Sequence, residues 1–444
     1  MANNMGVGSK SSTLLIVFLG LLVRHRTSGA NVLLVPTPCG VSHWFTLANI
    51  GQALVRRGHA TTVVVPEDIA EKRQTERPDF KFETFHDEGT HALVQQIDGN
   101  LHSNQDSETS VYQYANHGIN LSKRVQNVVF ATLLPMLGRW VASNTYGGLV
   151  RKYVGEKETI QSVVSKTDLW LYQTDHVLDF PGPSMPNMIQ IGGLHIDAVS
   201  PLAEDLESFV QSAGDDGVIV VSLGTIVKTM SPEKTEIFAA AFARLRQKVV
   251  WRYTGEKPTG LGNNTMLLDW LPQNDLLGHP KTRAFITHAG INGAYEALHH
   301  GVPMVCLPLF FDQPGNAARV VARGLGVKLD LSAVTTDQLY EAITLVITNK
   351  SYRETAARLS RLHRDQPQSP MERAVWWIEH VIKHGGLPHL RARAVELPWY
   401  QYYLLDVAAF LLAVCTTVLG TVWCSCSLVC KKICCKTEGK LKSQ

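Results

Sequence analysis

Cysteine is nearly absent from the main body of this 444-residue chain. Only Cys39 and Cys306 precede the last tenth; Cys415, Cys424, Cys426, Cys430, Cys434 and Cys435 crowd near the end. This distribution excludes a disulfide scaffold and a paired-cysteine zinc site. Charge is also sparse, with 18% charged residues and a net charge of +3, which makes no case for nucleic acid. No carboxylate cluster of the Asp-x-Asp kind stands where it would hold a cation, so no metal is expected. Long apolar runs are lacking except at the two ends.

Those ends read as targeting and anchoring segments. Residues 1–30 carry Lys10, an apolar run from Leu14 to Val23, and the small residues Ser28-Gly29-Ala30, the pattern of a secretory signal peptide. Val407 to Val429 contains no charge and matches the roughly 20 residues a bilayer core requires. Tyr400, Tyr402 and Tyr403 precede it at the interface, and Lys431, Lys432, Lys436, Lys440 and Lys442 follow it. By the positive-inside rule the basic tail is cytosolic and the body lies across the membrane, a single-span type I arrangement with the lipid bilayer as a partner. Three sequons fall in that body, at Asn120, Asn263 and Asn349; Asn263, beside Gly260 and Gly262, has the clearest loop setting. The expected organisation is a signal peptide (1–30), a first α/β domain (31–200), a second (201–398), a membrane segment (399–430) and a tail (431–444).

The body reads as two βα-repeat units. Asn31 to Pro36 is an unbroken apolar strand, a helix runs from about Ser42 to Arg57, and His59 to Val65 is a second strand, which predicts a parallel sheet. Lys81 to Phe85 is a shorter third strand, and Tyr112 to Leu137 reads as helix. Strand character returns at Asp168–Tyr172 and Met188–Ile191. The second unit opens with Val218 to Ser222, ends that strand at Leu223-Gly224-Thr225, and alternates strands with helices as far as Leu362. A last amphipathic helix is expected over Ala374–Lys383.

The chemistry concentrates between Trp270 and Gln313. Arg283–Thr287 reads as a buried strand, followed by His288-Ala-Gly290-Ile-Asn292-Gly293 and a helical pattern over Ala294–His299. A strand that breaks into a glycine turn and opens a helix presents free backbone N–H groups and a positive dipole end to an anion. His288 and Asn292 add side-chain donors, and Glu296 suits a pair of ribose hydroxyls. The preceding strand end at Ser222, Gly224 and Thr225 is a second turn where phosphate fits. Trp270 and Gln273 set an aromatic plate beside an amide, as reading a base needs. Val302 to Pro308 forms a further strand that leads into Asp312 and Gln313, whose acceptors and donor suit sugar hydroxyls.

This stretch resembles the signature of the UDP-glycosyltransferases, most closely that of the membrane-bound UDP-glucuronosyltransferases. The match runs through Trp270, Gln273, His288, Asn292, Gly293, Glu296, Asp312 and Gln313. The resemblance implies two Rossmann-like domains of glycosyltransferase B type facing across a cleft, with the last helix crossing back onto the first. It implies metal-independent, inverting transfer of glucuronic acid from UDP-glucuronate, used as co-substrate without a cofactor, to a hydroxyl of a small lipophilic acceptor. A terminal dilysine pattern, Lys440 and Lys442, implies return to the endoplasmic reticulum.

His43, in Ser42-His43-Trp44 at the start of the first helix, looks like the family's catalytic base, at the sheet edge where α/β folds bind ligands. The family pairs that base with an aspartate in a strand closing on Asp-Pro. No such run stands between Phe85 and Asp168; Asp87, Asp98 and Asp106 all have polar, loop-like neighbours. The first domain also reads as short of strands, as though a block carrying the aspartate were absent. The alternative to a working transferase is therefore an impaired form that binds UDP-sugar and associates, as a homo- or hetero-oligomer, with active homologues. The signature does not separate glucuronic acid from another sugar, such as glucose or galactose.

Overall fold

The computed structural model describes residues 29–36, 41–85, 121–224 and 230–441. Its first sheet has three parallel strands in the order β1 (Asn31–Leu34), β2 (Ala60–Pro66) and β3 (Lys81–Phe85). Helix Val41–Arg56 crosses from β1 to β2 and stops at Gly58, whose φ of +88° lies in the left-handed region. β4 (Trp170–Tyr172) and β5 (Met188–Gln190) form a separate parallel pair. Their Leu171 and Ile189 nevertheless share one core with Val32, Leu34, Leu47, Ile50, Val63 and Val65.

The second sheet has six parallel strands: β6 (Val218–Ser222), β7 (Lys248–Arg252), β8 (Thr265–Leu268), β9 (Thr282–Thr287), β10 (Met304–Cys306) and β11 (Gly326–Lys328). Their order is β11-β10-β9-β6-β7-β8. The chain winds outward from β6 in one direction, then returns to β6's other side and winds outward again from β9. The boundary between β6 and β9 is therefore the topological switch point, and crevices at the carboxyl ends of such strands are where open α/β sheets hold ligands. β6 reads Val-Ile-Val-Val-Ser and is buried throughout, as a strand covered on both faces should be.

Helix Pro370–His384 carries the chain back to the first sheet, where Ala374, Val375 and Ile378 enter the core of β1 and β2. It begins four residues earlier than the apolar pattern suggests. Ser369 and Glu372 form a capping box there, and Pro370 occupies the first turn. Two other expected boundaries also move. β10 is confined to Met304–Cys306 because Pro303 and Pro308 flank it and lack the N–H a ladder needs. The helix expected over Tyr112–Leu137 is seen over Leu121–Tyr153, past its expected end, and closes before Gly155 at φ +153°; residues 112–120 lie outside the described residues.

Among the described residues one helix is long and apolar enough to cross a membrane, with Leu405–Lys431 as its apolar part. The signal segment, Cys39, Asn120, Thr225 and Lys442 fall outside the described residues. Asn263 sits exposed in a turn before β8. Asn349 is exposed and caps helix Lys350–Arg364, its Oδ1 accepting from the Ser351 N–H at 3.1 Å.

Candidate nucleotide-sugar site

The switch point brings two glycine turns together. Beyond β6, the Ser222 hydroxyl accepts from the Gly224 N–H at 3.4 Å, and Gly224 takes φ +84°. Beyond β9, the Thr287 hydroxyl accepts from the Ala289 N–H at 3.2 Å, and Ala289 is held at φ +61°. A left-handed conformation costs a residue with a side chain about 1–2 kcal/mol, so the packing around the fully buried Ala289 imposes this turn. A β-carbon on Gly224 or on Gly290 would stand 2.5 Å from Nε2 of His288. The imidazole thus fills the space between the turns, and glycine at both positions is what admits it.

Burial pushes the His288 pKa down to about 4; the positive charge of Arg252 acts the same way, and the Ser222 carbonyl beside the ring opposes both. His288 is neutral near pH 7, and its Nδ1 is buried without a partner in hydrogen-bonding geometry. A neutral ring offers one N–H donor and no charge. Positive charge comes instead from Arg252, which donates to the Gly224 carbonyl and, at 3.2 Å, to the Asp269 carbonyl. Its guanidinium lies 5.1 Å from the centre of the Trp270 ring. Trp270 is 58% exposed, so much of the plate is free to stack.

From the first half, Phe45 stands 6.3 Å from Trp270, ring centre to ring centre. Phe45 lies on the first turns of helix Val41–Arg56, which places the His43 end of that helix beside the signature. Trp44 anchors the helix: it is buried, donates from Nε1 to Glu76 at 2.8 Å, and packs under Arg73 at 4.9 Å. The His43 side chain and Asp87, Asp98 and Asp106 lie outside the described residues.

Gln273 and Glu296 meet directly, with the amide Nε2 donating to Oε2 at 2.6 Å. Gly293 permits this approach, since a β-carbon there would come 3.3 Å from the same amide nitrogen and 3.2 Å from Phe285. His195 closes on the other carboxylate oxygen, Oε1, at 3.3 Å. Asn292 presents a buried Oδ1 with no partner.

The turn after β10 is built around Asn316. Its amide nitrogen donates to the Asp312 carboxylate at 2.7 Å and to the Ala289 carbonyl at 3.0 Å, joining the two βα turns. The Gln313 Oε1 accepts the N–H groups of Leu309 at 2.8 Å and Phe310 at 3.1 Å, so its oxygen holds the turn. Phe311, 60% exposed at φ +54°, stands at the rim of this turn.

Sequence reasoning missed Arg252, His195 and Asn316. Arg252 ends an ordinary strand, His195 lies in a crossover loop, and Asn316 falls three residues past the matched motif; none had a local signal. It also missed how the halves are fastened. Asp179, after β4, pairs with Arg319 at 3.2 Å and accepts from the Tyr295 hydroxyl at 2.8 Å, while Asp175 bonds His363 at 2.5 Å. Burial raises the Asp179 pKa, partly offset by Arg319.

Paired α/β halves, with two glycine turns at the switch point of one and a helix start of the other facing them, make the glycosyltransferase B fold. Solved structures agree on this fold: the glycotransferase of kitacinnamycin superposes with a TM-score of 0.55 at 20% identity, covering 80% of this chain and 99% of that one. The calicheamicin glycosyltransferase CalG4 gives 0.54 at 18% identity, covering 82% and 100%. The family model "UDP-glucoronosyl and UDP-glucosyl transferase" matches residues 30–117 and 87–441, and the chain belongs to that family. It is 50% identical to UDP-glucuronosyltransferase 2C1 of Oryctolagus cuniculus over 293 residues, 66% of this chain and 58% of that protein. It is 46% identical to UDP-glucuronosyltransferase 2A2 of Homo sapiens over 316 residues, 71% and 58%. The chain thus spans about three fifths of the length of the curated relatives it matches.

Proposed function

We propose that this chain keeps the donor half of a UDP-glucuronosyltransferase and binds UDP-glucuronate at the β6/β9 switch point. The observation that carries this reading is the convergence of Gly224, His288, Gly290 and Arg252 beside the open Trp270 plate. In it the uracil stacks on Trp270, the ribose meets Glu296, and the diphosphate lies on the turns at Ser222–Gly224 and His288–Gly293. Backbone N–H groups, the His288 ring and the Arg252 charge offset the negative charge that grows on the leaving diphosphate. Asp312 and Gln313 hold the sugar hydroxyls.

The reaction these parts suit is inverting transfer. His43 takes the proton of an acceptor hydroxyl as its oxygen attacks the anomeric carbon, and the C–O bond to the diphosphate breaks on the opposite face. The acceptor class is a small lipophilic alcohol or phenol. The type I placement in the endoplasmic reticulum membrane, with the body lumenal, belongs to the same reading and is supported by the apolar helix 405–431 and the lysines after it.

The missing Asp-Pro strand favours a second reading, in which transfer is impaired and the chain binds UDP-sugar or associates with active homologues. A histidine lacking its carboxylate is a poorly oriented base; in the Ser-His-Asp hydrolases that loss costs about four orders of magnitude. Membranes containing the chain, incubated with labelled UDP-sugars and a panel of phenols beside a His43→Ala control, test this. Transfer near background, little changed by His43→Ala, is expected. Brisk transfer abolished by His43→Ala would mean that another acid serves, with Asp98 and Asp106 the first to replace.

A further inference from the structure

We infer that His195 is the positioning residue of the ribose site, holding the Glu296 carboxylate in the orientation that receives the sugar hydroxyls. This rests on the reading of Glu296 as the ribose partner. The His195 Nε2 lies 3.3 Å from Glu296 Oε1 and 3.2 Å from the Asn292 carbonyl oxygen. Both are acceptors, so this nitrogen carries a proton and donates to the pair. Nδ1 is buried with no partner, so the ring is engaged through Nε2 alone.

Glu296 is thereby gripped from two sides, by Gln273 at Oε2 (2.6 Å) and by His195 at Oε1. An ionised carboxylate has about four acceptor positions. Two are engaged by protein, which fixes its plane, and two remain for a vicinal diol.

The route by which His195 arrives is itself specified. Gly192 passes so close to Tyr295 that a β-carbon would sit 2.6 Å from its ring, and Gly193 turns at φ +83° against His363. Leu194 then inserts into the first core, which sets the His195 side chain over helix Ile291–His300. The carboxylate that reads the ribose is therefore held from the loop joining the two halves.

The test is calorimetric titration of the full chain in nanodiscs with UDP and with 2′,3′-dideoxy-UDP. His195→Ala should weaken UDP about tenfold, the size of one hydrogen bond to a charged group, and leave the dideoxy nucleotide unchanged. His195→Gln, which restores an N–H donor on that side, should recover most of the loss. In a Glu296→Ala background, His195→Ala should have no further effect. Equal weakening of both nucleotides, or effects of the two substitutions that multiply, would overturn the assignment and leave His195 a packing residue. UDP affinity unchanged by Glu296→Ala would instead overturn the ribose reading itself, and the inference with it.

Discussion

At the scale of single residues, the site is defined by what a side chain would displace. Gly224→Ala would meet the His288 ring at 2.5 Å in a left-handed conformation, so the turn must open or the ring must leave. A loss of about 2 kcal/mol or more in stability and a clear weakening of UDP are expected, read by urea unfolding and titration. His288 also makes stability depend on pH. Its folded pKa of about 4 lies below the ordinary 6.5, so above pH 6.5 the neutral ring costs nothing in either state. Between pH 6.5 and 4 the unfolded chain takes up a proton that the folded site refuses, and stability falls as pH falls. The slope from one such histidine is up to about 1.4 kcal/mol per pH unit. His299, also pushed down to about 4 chiefly by burial, adds in the same direction. The urea midpoint should therefore drop between pH 7 and 5, and drop less in a His288→Asn chain.

At the scale of elements, the return helix does more than the contacts on its surface suggest. Ile378 is buried among β1 and β2 residues, and Ile378→Ala should cost about 2–5 kcal/mol, seen as a lower unfolding midpoint. The exposed Arg57–Glu379 pair, 2.8 Å apart, which ties the return helix to the end of the first helix, should contribute less than about 1 kcal/mol. The elements were largely legible beforehand. The apolar run of β6, the glycine turns and the signature's spacing point to neighbouring strands that end in turns, and β6, β9 and their turns meet at one sheet edge. Boundaries moved where proline or a capping box intervened, as at β10 and Ser369. What local pattern could not carry was three-dimensional: that Glu296 is shared between Gln273 and His195, that Asn316 joins both turns, and that Arg252 lies under Trp270. Those contacts span 18 to 101 positions of sequence and depend on strand order, which no motif encodes.

At the scale of the whole molecule, a six-stranded second sheet stands beside a three-stranded first one among the described residues. Helix Leu121–Tyr153 exposes Val125, Val129, Leu133, Leu137 and Trp140 along one stripe, an apolar surface of the kind that favours association. Replacing Leu133 and Trp140 by Glu should lower the associated fraction in light scattering of the solubilised chain without changing its affinity for UDP. On the proposed function the donor site is complete whether or not transfer proceeds. This is tested most directly by titrating UDP into the folded full-length chain at pH 7.4 in a calorimeter. Saturable binding at one site per chain, weakened by Glu296→Ala, is the predicted result; no binding heat at any temperature from a chain shown to be folded would contradict it.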